Sequence, residues 1–162
     1  MNVTDQYLRD DYIEAICAGL EGAPILKDIN LSGVGLTDER ALKLLKSLNK
    51  VYIESLNLSN NPLLTQKFYR KLGDTCGMRT ASLKRLNLEG NKIGDDCLNY
   101  LVEKCIKTDR MEFLNVSKCE ITDFGARSLA KIIFSCKSLK TLYAGYNRIM
   151  GRGGAEIARA IK

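Results

Sequence analysis

The chain repeats itself. Five segments begin at Leu26 (LKDINLSGVGL), Ile53 (IESLNLSNNPL), Leu83 (LKRLNLEGNKI), Met111 (MEFLNVSKCEI) and Leu139 (LKTLYAGYNRI), in steps of 27, 30, 28 and 28 residues. Each carries the spacing L-x-x-L-x-L-x-x-N/C-x-L, with Val34 replacing the polar residue in the first copy and Ala144 the third apolar residue in the last. A unit this short cannot bury its own apolar face, so the copies must stack on one another.

Within each copy the apolar residues alternate, as in Leu56 and Leu58 or Leu86 and Leu88. That alternation predicts a short strand with one side inward. Asn61, Asn91, Cys119 and Asn147 then fall at the turn leaving the strand. Asparagine there can satisfy backbone groups the turn leaves unpaired, and stacked copies would make a ladder. The second half of each unit reads as helix. Ala41, Leu44, Leu45 and Leu48, then Leu98, Leu101, Val102 and Cys105, then Ala126, Leu129, Ala130 and Ile133 recur at helical spacing, the last set behind a capping Thr122. The stretch 73–82 (GDTCGMRTAS) reads as a lengthened, mobile loop on the helix side.

Five copies in phase resemble the leucine-rich repeat family, and the step length and helical half resemble its ribonuclease-inhibitor-like class. The resemblance runs from about residue 26 to the end. It implies an α/β solenoid: a curved, right-handed horseshoe segment with a parallel sheet on the concave side and helices on the convex side. It also implies that Cys119 is the family's tolerated substitute for asparagine, and that the chain acts by binding proteins.

The organisation expected is residues 1–25 as a degenerate repeat or an N-terminal capping helix, then five repeats over 26–162 starting at 26, 53, 83, 111 and 139. Shifting the fourth unit back by 113 residues sets Val3 under Val116, Leu8 under Ile121 and Asp10 under Asp123. At the other end no separate cap follows Ile157, Ala158 and Ile161, so the chain is expected to continue or to meet a partner there. Arg148, Arg152, Arg159 and Lys162 supply part of a polar end.

The outward strand positions are mostly small and polar: Asp28, Asn30 and Ser32; Ser55, Asn57 and Ser59; Arg85, Asn87 and Glu89; Phe113, Asn115 and Ser117; Thr141, Tyr143 and Gly145. Just before the strands, Lys27, Glu54, Lys84, Glu112 and Lys140 alternate in sign and can pair laterally. One cluster departs from this surface. Phe113, Tyr143 and Tyr146, with Arg85 and Arg148, are the candidate partner-binding residues, because aromatics with arginine are enriched at binding hot spots. The simpler alternative is local packing of Phe113 on Tyr143. Asn2-Val-Thr, Asn30-Leu-Ser, Asn57-Leu-Ser and Asn115-Val-Ser match the glycosylation sequon, but the last three follow from the repeat itself.

Composition narrows the chemistry. The sequence has no histidine, which excludes imidazole-based nucleophile pairs and metal sites. No catalytic residue, metal or cofactor is expected. Six cysteines (17, 76, 97, 105, 119 and 136) lack C-x-x-C spacing and read as reduced thiols. No apolar run approaches the ~18 residues of a membrane span, and the acidic N-terminus lacks a signal pattern, so a cytoplasmic location is expected. The net charge is +6, and from Gly125 onward eight basic side chains face one acidic, Glu156. That field favours an acidic protein surface as partner over nucleic acid, for which no base-reading motif exists. The function expected is a non-catalytic protein–protein interaction scaffold using the concave strand face. The alternatives are a regulator of another enzyme, such as a GTPase-activating protein, or a cytoskeletal component like tropomodulin-like domains.

Overall fold

A computed structural model describes residues 8–23, 25–78 and 82–161. Helix α1 (Asp10–Glu21) comes first, followed by five strand–helix pairs: β1 (Asp28–Asn30) with α2 (Asp38–Leu48), β2 (Ser55–Asn57) with α3 (Gln66–Cys76), β3 (Arg85–Asn87) with α4 (Gly94–Thr108), β4 (Phe113–Asn115) with α5 (Asp123–Ser135), and β5 (Thr141–Tyr143) with α6 (Gly151–Ala160). The strands form one parallel sheet in chain order. Register is in phase with the repeat, so Leu56 pairs with Leu86, and Leu86 with Leu114. Each strand is three residues long, yet the ladder runs on into the turn. Leu31, Leu58, Leu88 and Val116 donate to the carbonyls of Asn57, Asn87, Asn115 and Tyr143 at 2.8–2.9 Å.

The core lies between sheet and helices. Ile29, Leu56, Leu86 and Leu114 form one buried row, and Leu31, Leu58, Leu88 and Val116 the next. The expected helical faces are inward: Ala41, Leu44, Leu45 and Leu48 are buried, as are Leu98, Leu101, Val102 and Cys105. In α5, Ala126, Leu129 and Ile132 are buried while Ala130 and Ile133 are half-buried. Thr122 caps α5 by accepting the Phe124 N–H, as its sequence position predicts.

The asparagine ladder is present. Asn61 Nδ2 donates to the carbonyls of Leu31, Leu58 and Ser59, and Asn91 Nδ2 to those of Leu58 and Leu88. In return Asn61 Oδ1 accepts from Leu36 N–H, and Asn91 Oδ1 from Asn61 N–H. Asn147 repeats the pattern on Val116, Ala144 and the N–H groups of Cys119 and Ile121. Cys119 fills the gap with its thiol directed at the Leu88 and Ser117 carbonyls, and burial pushes that thiol's pKa up to about 12.

Two expectations need correction. Residues 73–76 are not loop: they complete α3, with Gly73 and Cys76 buried. Gly73 is glycine because a Cβ there would run into the Tyr100 ring of α4. Asp74 beside it accepts from the Tyr100 hydroxyl at 2.6 Å and meets Lys104 at 3.3 Å. Residues 79–81 of that stretch lie outside the described residues. In the second copy, Leu64 rather than Leu63 closes the motif: Leu63 is 55% exposed and Leu64 2%. Pro62, with its fixed φ and no N–H, makes that turn one residue longer. Acidic residues at helix starts also tie successive coils together. Asp38, Asp95 and Asp123 accept backbone N–H groups of Thr65, Thr122 and Met150 on the next coil at 2.7–2.8 Å.

At the N-terminal end α1 packs on α2, tied by Arg40–Asp10, Lys43–Glu14 and Lys50–Glu21 at 2.8–3.0 Å. Leu8 is buried, with its N–H on the Val34 carbonyl, and Ile13 and Leu20 are buried beneath it. Val3 and Asn2 lie outside the described residues. At the far flank burial fades, since Leu142 and Ala144 are half-buried where earlier coils are sealed. A depression of about 390 Å³ opens between Leu129, Ile133, Leu142, Ala144, Ile157 and Ile161.

Candidate functional site

The strand face carries the candidate residues, and register decides which of them meet. Arg85, Phe113 and Thr141 are side by side on β3, β4 and β5, with Tyr143 two residues beyond Thr141 on the same face. Phe113 and Tyr143 meet edge-on, ring centroids 5.7 Å apart. The Arg85 guanidinium lies 4.4 Å from the centre of the Phe113 ring. Phe113 is half-buried beneath its neighbours, whereas Tyr143 keeps 54% of its surface exposed. The three therefore form a continuous cation–aromatic–aromatic stack, open to solvent at Arg85 and Tyr143.

Tyr146 and Arg148 belong to the turn after β5. Tyr146 is 87% exposed, and its ring is covered by Lys118 Nζ at 5.5 Å. Among the described residues no ring contact joins it to Phe113 or Tyr143. Arg148 bridges Thr122 through backbone, its N–H on the Ile121 carbonyl at 2.7 Å, with an exposed side chain. The backbone of Tyr146 is unusual. Gly33, Asn60, Gly90, Lys118 and Tyr146 occupy the same turn position in successive coils, all with φ between 55° and 71°. Glycine suits this left-handed region, and a bulky aromatic there costs roughly 1 kcal/mol. Aligning that column in the sequence would have exposed the oddity.

The lateral charge row forms in part. Lys84 meets Glu54 at 3.0 Å and Lys140 meets Glu112 at 2.7 Å. The Tyr52 hydroxyl donates to Glu54 at 2.7 Å. These contacts hold both carboxyls below their ordinary range, through the Tyr52 and then the Lys84 hydrogen bond for Glu54, and through Lys140 for Glu112. Both carboxylates are therefore charged at neutral pH and lend the rim of the face only weak, solvent-screened support.

Sequence reasoning passed over two exposed aromatics on α5. Phe124 and Phe134 are 72% and 70% exposed, with Arg127 and Lys137 over their rings. They stand ten residues apart on α5, about 15 Å along its axis, and so make two isolated spots rather than a patch. Among the described residues no group of three or more Cys, Asp or Glu is placed to hold a metal. No helix among them is long and apolar enough to cross a membrane.

A family model described as Leucine Rich repeat matches residues 81–98 and 111–130. The mouse (Mus musculus) ribonuclease inhibitor is 26% identical over 152 residues, covering 91% of this chain and 32% of that protein. The pig (Sus scrofa) ribonuclease inhibitor is 24% identical over 161 residues, with the same coverage. The chain is similar to leucine-rich repeat proteins of the ribonuclease-inhibitor-like class. Human NACHT, LRR and PYD domains-containing protein 5 is 29% identical over 140 residues, 85% of this chain and 12% of that protein. The repeat chain spans about a third of the length of the ribonuclease inhibitors it matches. Among solved structures, the tropomodulin C-terminal domain of Caenorhabditis elegans superposes with a TM-score of 0.69 at 19% identity, over 92% of this chain and 90% of that one. That likeness is one of fold: an open α/β solenoid with a parallel five-stranded sheet.

Proposed function

We propose that this chain is a non-catalytic protein–protein interaction scaffold whose partner docks on the concave strand face over Arg85, Phe113 and Tyr143, with Tyr146 and Arg148 at the rim. The observation that carries the reading is the stack itself. On a sheet face otherwise lined mostly with small polar side chains, Phe113 lies between Arg85 at 4.4 Å and Tyr143 at 5.7 Å, and both outer members remain accessible. Such groups gain most when a partner seals them from water. The excess of basic side chains from Gly125 onward supports an acidic partner surface. The six free cysteines, five of them buried, support a reducing, cytoplasmic setting.

Affinity capture from lysate of source cells, comparing the native chain with Phe113→Ala/Tyr143→Ala, tests the proposal. Loss of one dominant partner with an unchanged thermal midpoint is expected. Identical captured sets from both proteins would remove the strand face as the docking site.

A further inference from the structure

Beside the aromatic stack runs a row of asparagines with one orientation. Asn30, Asn57, Asn87 and Asn115 are adjacent in register across β1 to β4. In each, Oδ1 accepts the backbone N–H two residues on, from Ser32, Ser59, Glu89 and Ser117 at 3.0–3.1 Å. A backbone N–H can only donate, so the atom facing it must be the oxygen, and each amide NH₂ is turned the other way. Asn115 Nδ2 goes to Glu89 Oε2 at 3.2 Å. Among the described residues, Nδ2 of Asn30, Asn57 and Asn87 meets no protein acceptor, and all three side chains are half-exposed. With strands ~4.8 Å apart, the face presents three donors over roughly 10 Å, their acceptor halves already used. Arg85, exposed on β3 beside Asn87, adds a cation to the same ground. The acidic neighbours are Asp28 at the β1 edge and Glu89, itself held by Lys118 at 3.1 Å.

We propose that this row, together with Arg85, recognises a partner helix that carries carboxylates on successive turns and lies across the strands, its far end resting on Phe113 and Tyr143. This rests on the strand-face reading above and adds the partner's chemistry and shape. Spacing selects the helix. Helical side chains at i, i+3 and i+7 recur at about 4.5 and 10.5 Å, against about 4.8 and 9.6 Å for the donor row. Side chains on one face of an extended strand recur at about 6.7 and 13.4 Å, and lose the row by the third contact. Carboxylates match because the exposed face offers donors and a cation where they would land, and charge-assisted hydrogen bonds are the stronger kind.

The test uses a helix-stabilised alanine-based peptide of about 18 residues, with Glu on three successive turns of one face and Leu on the next turn, read by fluorescence anisotropy. The protein variants are Asn57→Asp and, separately, Asn87→Asp. Each keeps the oxygen that holds the turn and turns the outward donor into a carboxylate oxygen. The native chain is expected to bind, with affinity falling as salt rises. Each variant is expected to bind at least about tenfold more weakly at an unchanged thermal midpoint, and a Gln-for-Glu peptide should lose affinity to the same degree. No binding by the native chain, or native affinity retained in both variants, overturns the proposal. If binding survives both Asp variants but is lost in Phe113→Ala/Tyr143→Ala, the donor row falls while the strand-face reading stands. Binding that survives all three variants removes both.

Discussion

Two asparagine columns run through the molecule, four residues apart in each coil: Asn57 and Asn61 in one, Asn87 and Asn91 in the next. Asn61 and Asn91 are sealed, and both ends of each amide bond to backbone of their own or the adjoining coil. Asn57 and Asn87 are half-exposed, and only the oxygen is committed. The same side chain thus serves cohesion in one column and leaves a donor for recognition in the other. Burial makes the difference, because a buried polar group must be fully paired whereas an outer one has water as its fallback.

That contrast breaks most visibly at Asn91. Asn91→Ala orphans the buried Asn61 N–H and takes one donor from each of the Leu58 and Leu88 carbonyls, leaving them only Asn61 Nδ2 and the Cys119 thiol. A loss of about 3–4 kcal/mol is expected from the urea midpoint, against under about 0.5 kcal/mol for Asn57→Asp. Next in size is Gly125→Ala. A methyl there would collide with the Asp95 carboxylate, which holds the Thr122 N–H, and with Ile121, at a cost of roughly 2 kcal/mol by the same assay.

Alkaline pH probes the inner column through Cys119. Burial raises its pKa to about 12, while Cys136, raised first by burial and then by Asp109, sits at about 11. An unfolded thiol ionises near 8.5, so above that pH the unfolded chain releases protons that the folded chain retains. Stability contributed by these thiols is full below about pH 8.5 and falls as pH rises toward 11–12. Urea midpoints measured from pH 7 to 10.5 should decline, and Cys119→Ala should flatten the decline. The smallest effect reverses sign. Tyr146→Gly should gain about 1 kcal/mol by relieving the left-handed backbone at φ 56°, while weakening partner capture.

Most of the architecture was legible because the repeat enforces it: the alternating Leu56 and Leu58, the ladder positions and the helical apolar faces all follow from stacking. The misreadings have separate causes. Gly73 looked like a loop residue, but its glycine serves the approach of Tyr100 from the next coil, a contact no single unit contains. Asp95 likewise grips Thr122 one coil later, another contact that lies between units. Pro62 shifted the closing apolar residue to Leu64, a change in turn length that the motif spacing does not encode. At the candidate site, alternation placed Phe113 and Tyr143 on one face, and lateral register then set Arg85 on the ring. Tyr146 fell outside that stack because the turn's left-handed backbone directs it toward Lys118. The orientation of the asparagine amides became visible only once the turn N–H groups had positions.

The most direct test of the strand face as the binding surface is hydroxyl-radical footprinting of the chain alone and in complex with its captured partner, read residue by residue on the aromatics. Tyr143, Tyr146 and Phe113 should lose reactivity in the complex, while Phe124 and Phe134 on α5 stay as reactive as before. Protection confined to Phe124 and Phe134, with Tyr143 unchanged, would contradict the account.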